Sequence, residues 1–340
     1  MTRPVFLVGS VPYEPEETFE RCGSSLGNLI RRLPDGEKHG WLPAEGFTRT
    51  EGLEPGRGES ISGPPFWNTV RIKAGVKPED IRFEHLFYSS HAVSSYEIFQ
   101  RLRAGGKIAA GVRFQISIPT PFTSLITFDW DQLRAIWPVY ERALFREIDQ
   151  ILAAIPHDDL AISWDVCEFV MALVHKQAPE KYTLEELGSA VARCIDQVPK
   201  GVETGCHFCY GGYNSNGLPD DPRQRRLDDT RLFVKFGTYV FAKVHRPVSW
   251  LHLPVPQSHD DDAFFAPLTD LNLGQTELYL GLVYLDDGIE ASKRKIAAAS
   301  RYVGSFGVAT ACGMGNPANR VSIERMPELI HYHRSVAELA

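Results

Sequence analysis

Six residues in the middle of the chain carry its densest chemistry: Gly205-Cys206-His207-Phe208-Cys209-Tyr210. The run reads as the end of a β-strand. Strand side chains alternate faces, so His207 and Cys209 project together while Cys206 points the other way. Cys312 ends a second strand-like run, Gly307-Val308-Ala309-Thr310-Ala311-Cys312-Gly313. Two thiolates and one imidazole favour zinc over hard cations, and a catalytic zinc keeps a position for an exchangeable partner whereas a structural one is closed. The competing reading is packing, because a His-x-Cys in a strand is often a core cysteine beside a half-buried histidine. Cys22, Cys194 and Cys206 are read that way. The six cysteines are unevenly spaced in a chain of 340 residues, which argues against a disulfide framework.

Such residues meet only if a fold brings them together. Short β-branched or aromatic runs alternate with longer amphipathic segments, the pattern of repeated βα units. Candidate strands cover residues 5–9, a short stretch ending near Glu37, and residues 111–118, 160–164, 201–208, 247–253, 277–284 and 306–311. Helical spacing covers residues 16–32, 85–105, 130–155, 184–198, 225–243, 289–303 and 322–337. Eight strands with intervening helices predict a single-domain α/β chain, a (β/α)8 TIM barrel over residues 1–340. Active sites in that architecture form at the C-terminal ends of the strands. Ser10, Glu37, Asp165, His207 with Cys209, His252, Tyr284 and Cys312 all fall at such ends, and Gln115 lies on the third candidate strand. Residues 38–78 are rich in Gly, Pro and charge, lack periodicity, and are expected to form a functional loop or lid carrying Trp41 and Trp67.

Composition removes other classes. The chain is 43% hydrophobic and 23% charged, ordinary for a globular enzyme, with net charge −7 and no large basic cluster. Nucleic acid is therefore not expected as a partner, since phosphate neutralisation needs a basic face. No stretch approaches the roughly 18 apolar residues of a membrane span. The first ten residues read as a strand rather than a signal peptide, so the cytoplasm is the expected compartment. Glycines within residues 304–315 are in the wrong order for a dinucleotide fingerprint. Asp260-Asp261-Asp262 reads as a solvated loop.

Several segments together resemble the catalytic domain of cobalamin-independent methionine synthase, in the uroporphyrinogen decarboxylase/methionine synthase-like barrel superfamily. His207-Phe208-Cys209-Tyr210 is similar to that family's His-x-Cys-Tyr, and Cys312-Gly313 to its Cys-Gly after the last strand. Val8-Gly9-Ser10-Val11-Pro12 resembles its opening Ile-Gly-Ser-Phe-Pro, Ile162-Ser163-Trp164-Asp165 its Ile-x-Ile-Asp, and Gly36-Glu37 a Gly-Glu near its amino-acid site. The resemblance runs in order through nearly the whole chain. It implies a zinc that binds a homocysteine-like thiol as thiolate and presents it to an alkyl donor, as in methionine biosynthesis. Ser10, Glu37, Gln115 and Asp165 would then contact substrate, with Asp165 binding an ammonium or orienting the donor.

Two departures stand out. Where the family supplies a glutamate as a further zinc ligand, this sequence has His252, which could ligate or act as acid or base. Where the family has a histidine that protonates the leaving group, this sequence has Tyr284, a poorer donor at neutral pH because a phenol titrates near 10. The resemblance covers the catalytic barrel and not the half of the two-barrel enzymes that helps hold polyglutamyl folate. The alkyl donor is therefore left open between folate, a corrinoid protein and an epoxide, and a zinc lyase or hydrolase is the alternative enzyme class.

Overall fold

The protein is described by a computed structural model covering residues 2–38, 42–57, 69–167, 169–174, 182–209, 227–316 and 321–339. Trp41, Trp67 and Tyr210 lie outside these residues. The strands are β1 (Arg32–Pro34), β2 (Leu53–Pro55), β3 (Val70–Ile72), β4 (Arg113–Pro119), β5 (Leu160–Val166), β6 (Glu203–Phe208), β7 (Trp250–Pro254), β8 (Glu277–Gly281) and β9 (Gly307–Val308). Seven form one curled parallel sheet in the order β1-β4-β5-β6-β7-β8-β9, so most neighbours in sequence are neighbours in space. Helices connect them, as parallel pairing requires.

The expected first strand is present only as single parallel bridges, from Val5 to Ile30 and from Val5 to Val308. Phe6 N–H donates to the Val308 carbonyl at 2.9 Å, and Val308 N–H to the Pro4 carbonyl at 2.9 Å. Pro4 lacks an N–H, so a regular ladder cannot run through it. The segment thus sits beside both edges of the sheet.

Helices Pro15–Leu26, Tyr88–Ala104, Leu133–Ala154, Leu184–Gln197, Arg231–Lys243, Gly288–Ser300 and Met326–Ala337 fall where the periodicity predicts them. Local chemistry sets several starts. Thr183 accepts from Glu186 N–H at 3.1 Å as an N-cap. The buried Glu147 carboxylate accepts from Leu86 N–H (2.8 Å) and Ser89 N–H (2.7 Å), holding Phe87 at φ 68° ahead of the helix from Tyr88. The region expected as loop or lid instead contains helix Ala44–Arg49 and the antiparallel β2–β3 pair. Its periodicity is hidden because the strands are three residues each. Buried Asp129 anchors the pair, accepting from Arg57 N–H and Thr69 Oγ1, both at 3.0 Å. The acidic run after β7 is absorbed locally: Asp261 caps helix Asp262–Phe265, while Asp260 and Asp262 pair with Arg294 and Arg301. Among the described residues no helix is long and apolar enough to cross a membrane.

Every residue of β5 is buried, as expected for a parallel strand covered on both faces. The outer face packs on the helices, and the inner face carries a separate apolar cluster of Phe6, Val8, Ala161, Trp250, Tyr279 and Ala309. Below it, at the strand starts, Arg32 donates to Glu203 at 2.5 Å and Glu277 at 2.9 Å, and lies 4.2 Å from the Trp250 ring centroid. Arg32 is the buried hub of this network, although Glu203 keeps Arg113 and Glu277 keeps Arg31 when it is removed. Arg32→Ala is expected to lower unfolding free energy by about 3 kcal/mol, the lower end of the usual loss because both carboxylates keep some water contact. Denaturant midpoints would measure it, and a change under 1 kcal/mol would refute the role.

His333, fully buried in the last helix, donates its Nδ1–H to the Leu329 carbonyl at 2.8 Å. Burial pushes its imidazole down from 6.5 to about 4. The unfolded chain therefore binds this proton first, so the stability associated with neutral His333 is intact above 6.5 and is lost as pH falls from 6.5 towards 4. His333→Phe should flatten the stability-versus-pH curve in that window by about 3 kcal/mol at its acid end. Unchanged slopes in paired melts at pH 7 and pH 4.5 would contradict this.

Candidate functional site

The parallel register sets Asp165, His207 and His252 side by side, since Asp165 pairs with His207 and His207 with His252. All three point to the inner face above the apolar cluster. His252 packs 5.6 Å from the Phe6 ring, which forms the floor. Cys209 lies one residue past β6 and is tied by its N–H to the Val166 carbonyl at 3.1 Å. Cys312 lies four residues beyond the short β9 rather than at its end, on a bend in which Thr310 Oγ1 donates to the Cys312 carbonyl at 2.6 Å. The bend still returns its thiol to hydrogen-bonding contact with the Cys209 thiol and the His207 ring. That contact with Cys209, then burial, holds the Cys312 thiol well above its ordinary range.

One residue that the spacing argument passed over joins them. Cys167, His207 and Cys209 present ligand atoms all within 4.8 Å of one another, and all three are buried. The signal was in the sequence. Cys167 stands two residues after Asp165, the same spacing that pairs His207 with Cys209.

A small cavity of about 20 Å³, room for little more than a water, opens beside this cluster, lined by Val8, Ser10, Glu37, Asp165, Cys167, His207, Cys312 and Gly313. Ser10 reaches it because it bridges to Gly36 and because Gly313 has no side chain: a Cβ there would stand 2.1 Å from Ser10 Oγ. Likewise a Cβ on Gly9 would stand 2.1 Å from Glu37 Oε1. Glu37 itself sits at φ 54°, an unusual backbone for a side chain, with its N–H on Asp35 Oδ1 at 3.0 Å. Its Oε1 is buried without a hydrogen-bond partner among the described residues. Burial first, then the neighbouring Asp165 carboxylate, raise the Glu37 carboxyl well above the usual range. Two carboxyls in one small cavity resist double ionisation and form a receptor for a cation.

The remaining expected residues lie apart from the cavity wall. Gln115 is buried beneath it, its Nε2 donating to the Leu7 and Val8 carbonyls at 3.0 and 3.1 Å, so it clamps the first segment to β4. Tyr284 donates its hydroxyl to the Val255 carbonyl at 2.6 Å, and Lys295 Nζ lies 4.5 Å from its ring centroid. His252 is fully buried, with Nδ1 2.7 Å from His207 Nδ1. Burial, then the neighbouring His207, keep His252 well below the ordinary imidazole range, so it is neutral. His207 Nε2 is buried without a conventional hydrogen-bond partner. An imidazole nitrogen with only thiols beside it fits a soft divalent ion, which would accept the nitrogen lone pair and favour thiolate over thiol.

No protein-family model matches the sequence, and no curated protein matches it. The structural neighbours are B12-independent methionine synthase-like proteins. One, from Listeria monocytogenes and assigned as a vitamin-B12-independent methionine synthase, superposes with a TM-score of 0.56 at 15% identity, over 99% of this chain and 99% of that one. Another, a B12-independent methionine synthase from Shewanella sp. W3-18-1 in complex with selenomethionine, gives 0.61 at 15% identity, over 99% of this chain and 97% of that one. At this identity the likeness is one of fold.

Proposed function

We propose that the chain is a zinc-dependent transferase that activates a small amino-bearing thiol, of homocysteine type, and places a methyl or other alkyl group on its sulfur. We read residues 1–340 as one catalytic (β/α)8 barrel in which the segment around Val5 serves as the eighth stave. The observation that carries the function is the convergence, on one small buried cavity, of a thiol–imidazole cluster and a pair of carboxyls. Zinc held by His207, Cys209 and Cys312 supplies a Lewis acid that keeps a bound thiol deprotonated at neutral pH, where a free thiol with a pKa near 8.5 is mostly protonated.

The chain's own residues do the rest. Asp165 and Glu37 receive the substrate ammonium, Asp165 as the charged partner and Glu37 as the group that can release its proton when the cation arrives. Ser10 offers a hydroxyl to the polar end of the substrate. The apolar floor of Phe6 and the small cavity exclude water from the sulfur. In the transfer the substrate S–H bond is lost, an S–C bond forms, and the donor's leaving group departs with its electron pair and takes up a proton. Tyr284 can deliver that proton only by giving up its bond to Val255, which favours donors whose leaving groups need little acid help. The selenomethionine held by the Shewanella neighbour is an amino acid bearing a methylated chalcogen, the class of molecule this reading expects.

X-ray absorption at the zinc edge, before and after adding homocysteine, tests this reading. An added sulfur neighbour is expected. Protein that neither contains nor takes up zinc, or a spectrum indifferent to homocysteine, would overturn it. Parallel assays with methyl-folate, a methylated corrinoid protein and a small epoxide identify the donor class.

A further inference from the structure

We infer that Cys167 is a protein ligand to the ion held by His207, Cys209 and Cys312, and that His252 is a positioning residue that holds the His207 ring rather than a ligand. This rests on the metal reading above. Tetrahedral zinc with bonds of 2.0–2.3 Å places its ligand atoms roughly 3.5–3.8 Å apart. The atoms of Cys167, His207 and Cys209 already lie within 4.8 Å of one another, so side-chain rotation of about an ångström closes the set. The backbone needs no movement. Thr123, fully buried, fixes it: its hydroxyl accepts from Cys167 N–H at 3.1 Å and lies 3.2 Å from the Cys167 carbonyl. Cys167, His207 and Cys312 line the same cavity.

His252 is placed differently. Its Nδ1 meets His207 Nδ1 at 2.7 Å, a separation at which the two nitrogens share one proton. Neither of those nitrogens can then serve a metal. Each ring keeps an Nε2 that is buried without a conventional partner, and what singles out His207 is that its ring, not that of His252, lies with Cys167 and Cys209 within 4.8 Å. A ligating histidine commonly has its second nitrogen held in this way, usually by a carboxylate, carbonyl or water. Here a second imidazole, wedged against Phe6, supplies the hold. The resulting set is one nitrogen and three sulfurs, softer than a set containing a carboxylate or second imidazole; it favours zinc and cobalt(II) over magnesium or manganese, and a substrate thiol would join it as a fifth ligand.

The test is zinc-edge X-ray absorption and chelator competition on the full chain, in the wild type, Cys167→Ser and His252→Asn. Expected are three sulfurs and one nitrogen in the wild type. Cys167→Ser should lose one sulfur neighbour and bind zinc at least about 10-fold more weakly. His252→Asn should keep the sulfur count while affinity falls about 10–100-fold, the loss typical of outer partners, with the melting point of the metal-free protein unmoved. Alkylation mapping of the wild type needs no variant: added zinc should protect Cys167 along with Cys209 and Cys312. Two sulfurs and two nitrogens in the wild type, or Cys167 unprotected by zinc, would sink this inference and leave the zinc enzyme standing. Protein that takes up no zinc would sink both.

Discussion

His207→Ala and Cys209→Ser should each weaken zinc binding by more than about 100-fold, beyond the range expected of an outer partner, and abolish measurable thiol alkylation at pH 7. The reasoning is local. Both side chains come from one strand end at a spacing of two, both are buried, and each touches the other members of the cluster. Loss of either removes a ligand and leaves the others too few to hold the ion in a fixed geometry. Without it, a thiol of pKa near 8.5 is only about 3% ionised at pH 7, so at least about 30-fold of the rate disappears through ionisation alone. Cys206→Ser is the internal control, since Cys206 faces the helices and belongs to the outer core. Metal content by plasma emission, with turnover measured on the same samples, checks the pair. Full zinc occupancy in Cys209→Ser would refute the assignment.

Asp165→Asn should raise KM for an amino-bearing thiol by at least about 30-fold, because it removes one partner of a buried charge pair, a loss of 2 kcal/mol or more. Glu37→Gln should be mild, within a few-fold. Burial and Asp165 raise the Glu37 carboxyl well above its ordinary range, and an amide retains one oxygen for the ammonium while Asp165 keeps the charge. With a thiol lacking the amino group, the Asp165→Asn effect should vanish. If both variants lose equally, or if the desamino thiol suffers alike, the carboxyls do not bind an ammonium.

Much of this arrangement is legible from the residues alone. The helix positions follow from apolar spacing, and the strands β4 to β8 from runs of β-branched and aromatic residues, because these are long enough to express a period. The Val5 segment and β9 are legible as strands but form only bridges and a two-residue ladder, since Pro4 and the local bends interrupt pairing in ways a residue pattern does not encode. β2 and β3 are too short to leave a pattern at all. At the site, His207, Cys209, Asp165 and Cys312 announce themselves through type and position. Cys167 needed the strand register, because β5 ends one residue before it. The Nδ1–Nδ1 contact of His207 and His252 depends on two rings turning towards each other across β6 and β7, which no linear spacing reveals. Gln115 is the reverse case: a polar residue in a strand suggests a ligand contact, yet its amide is spent on two backbone carbonyls.

The ionic knot of Arg32, Glu203 and Glu277 occupies the strand starts, while every cavity-lining side chain stands past the opposite pole. Durability and selectivity are therefore written at opposite ends of the same staves. A breeding programme for new sulfur acceptors could vary position 10 while keeping Gly313, where a Cβ would meet Ser10, and leave the girdle beneath untouched, so that variants differ in what they accept more than in how long they last.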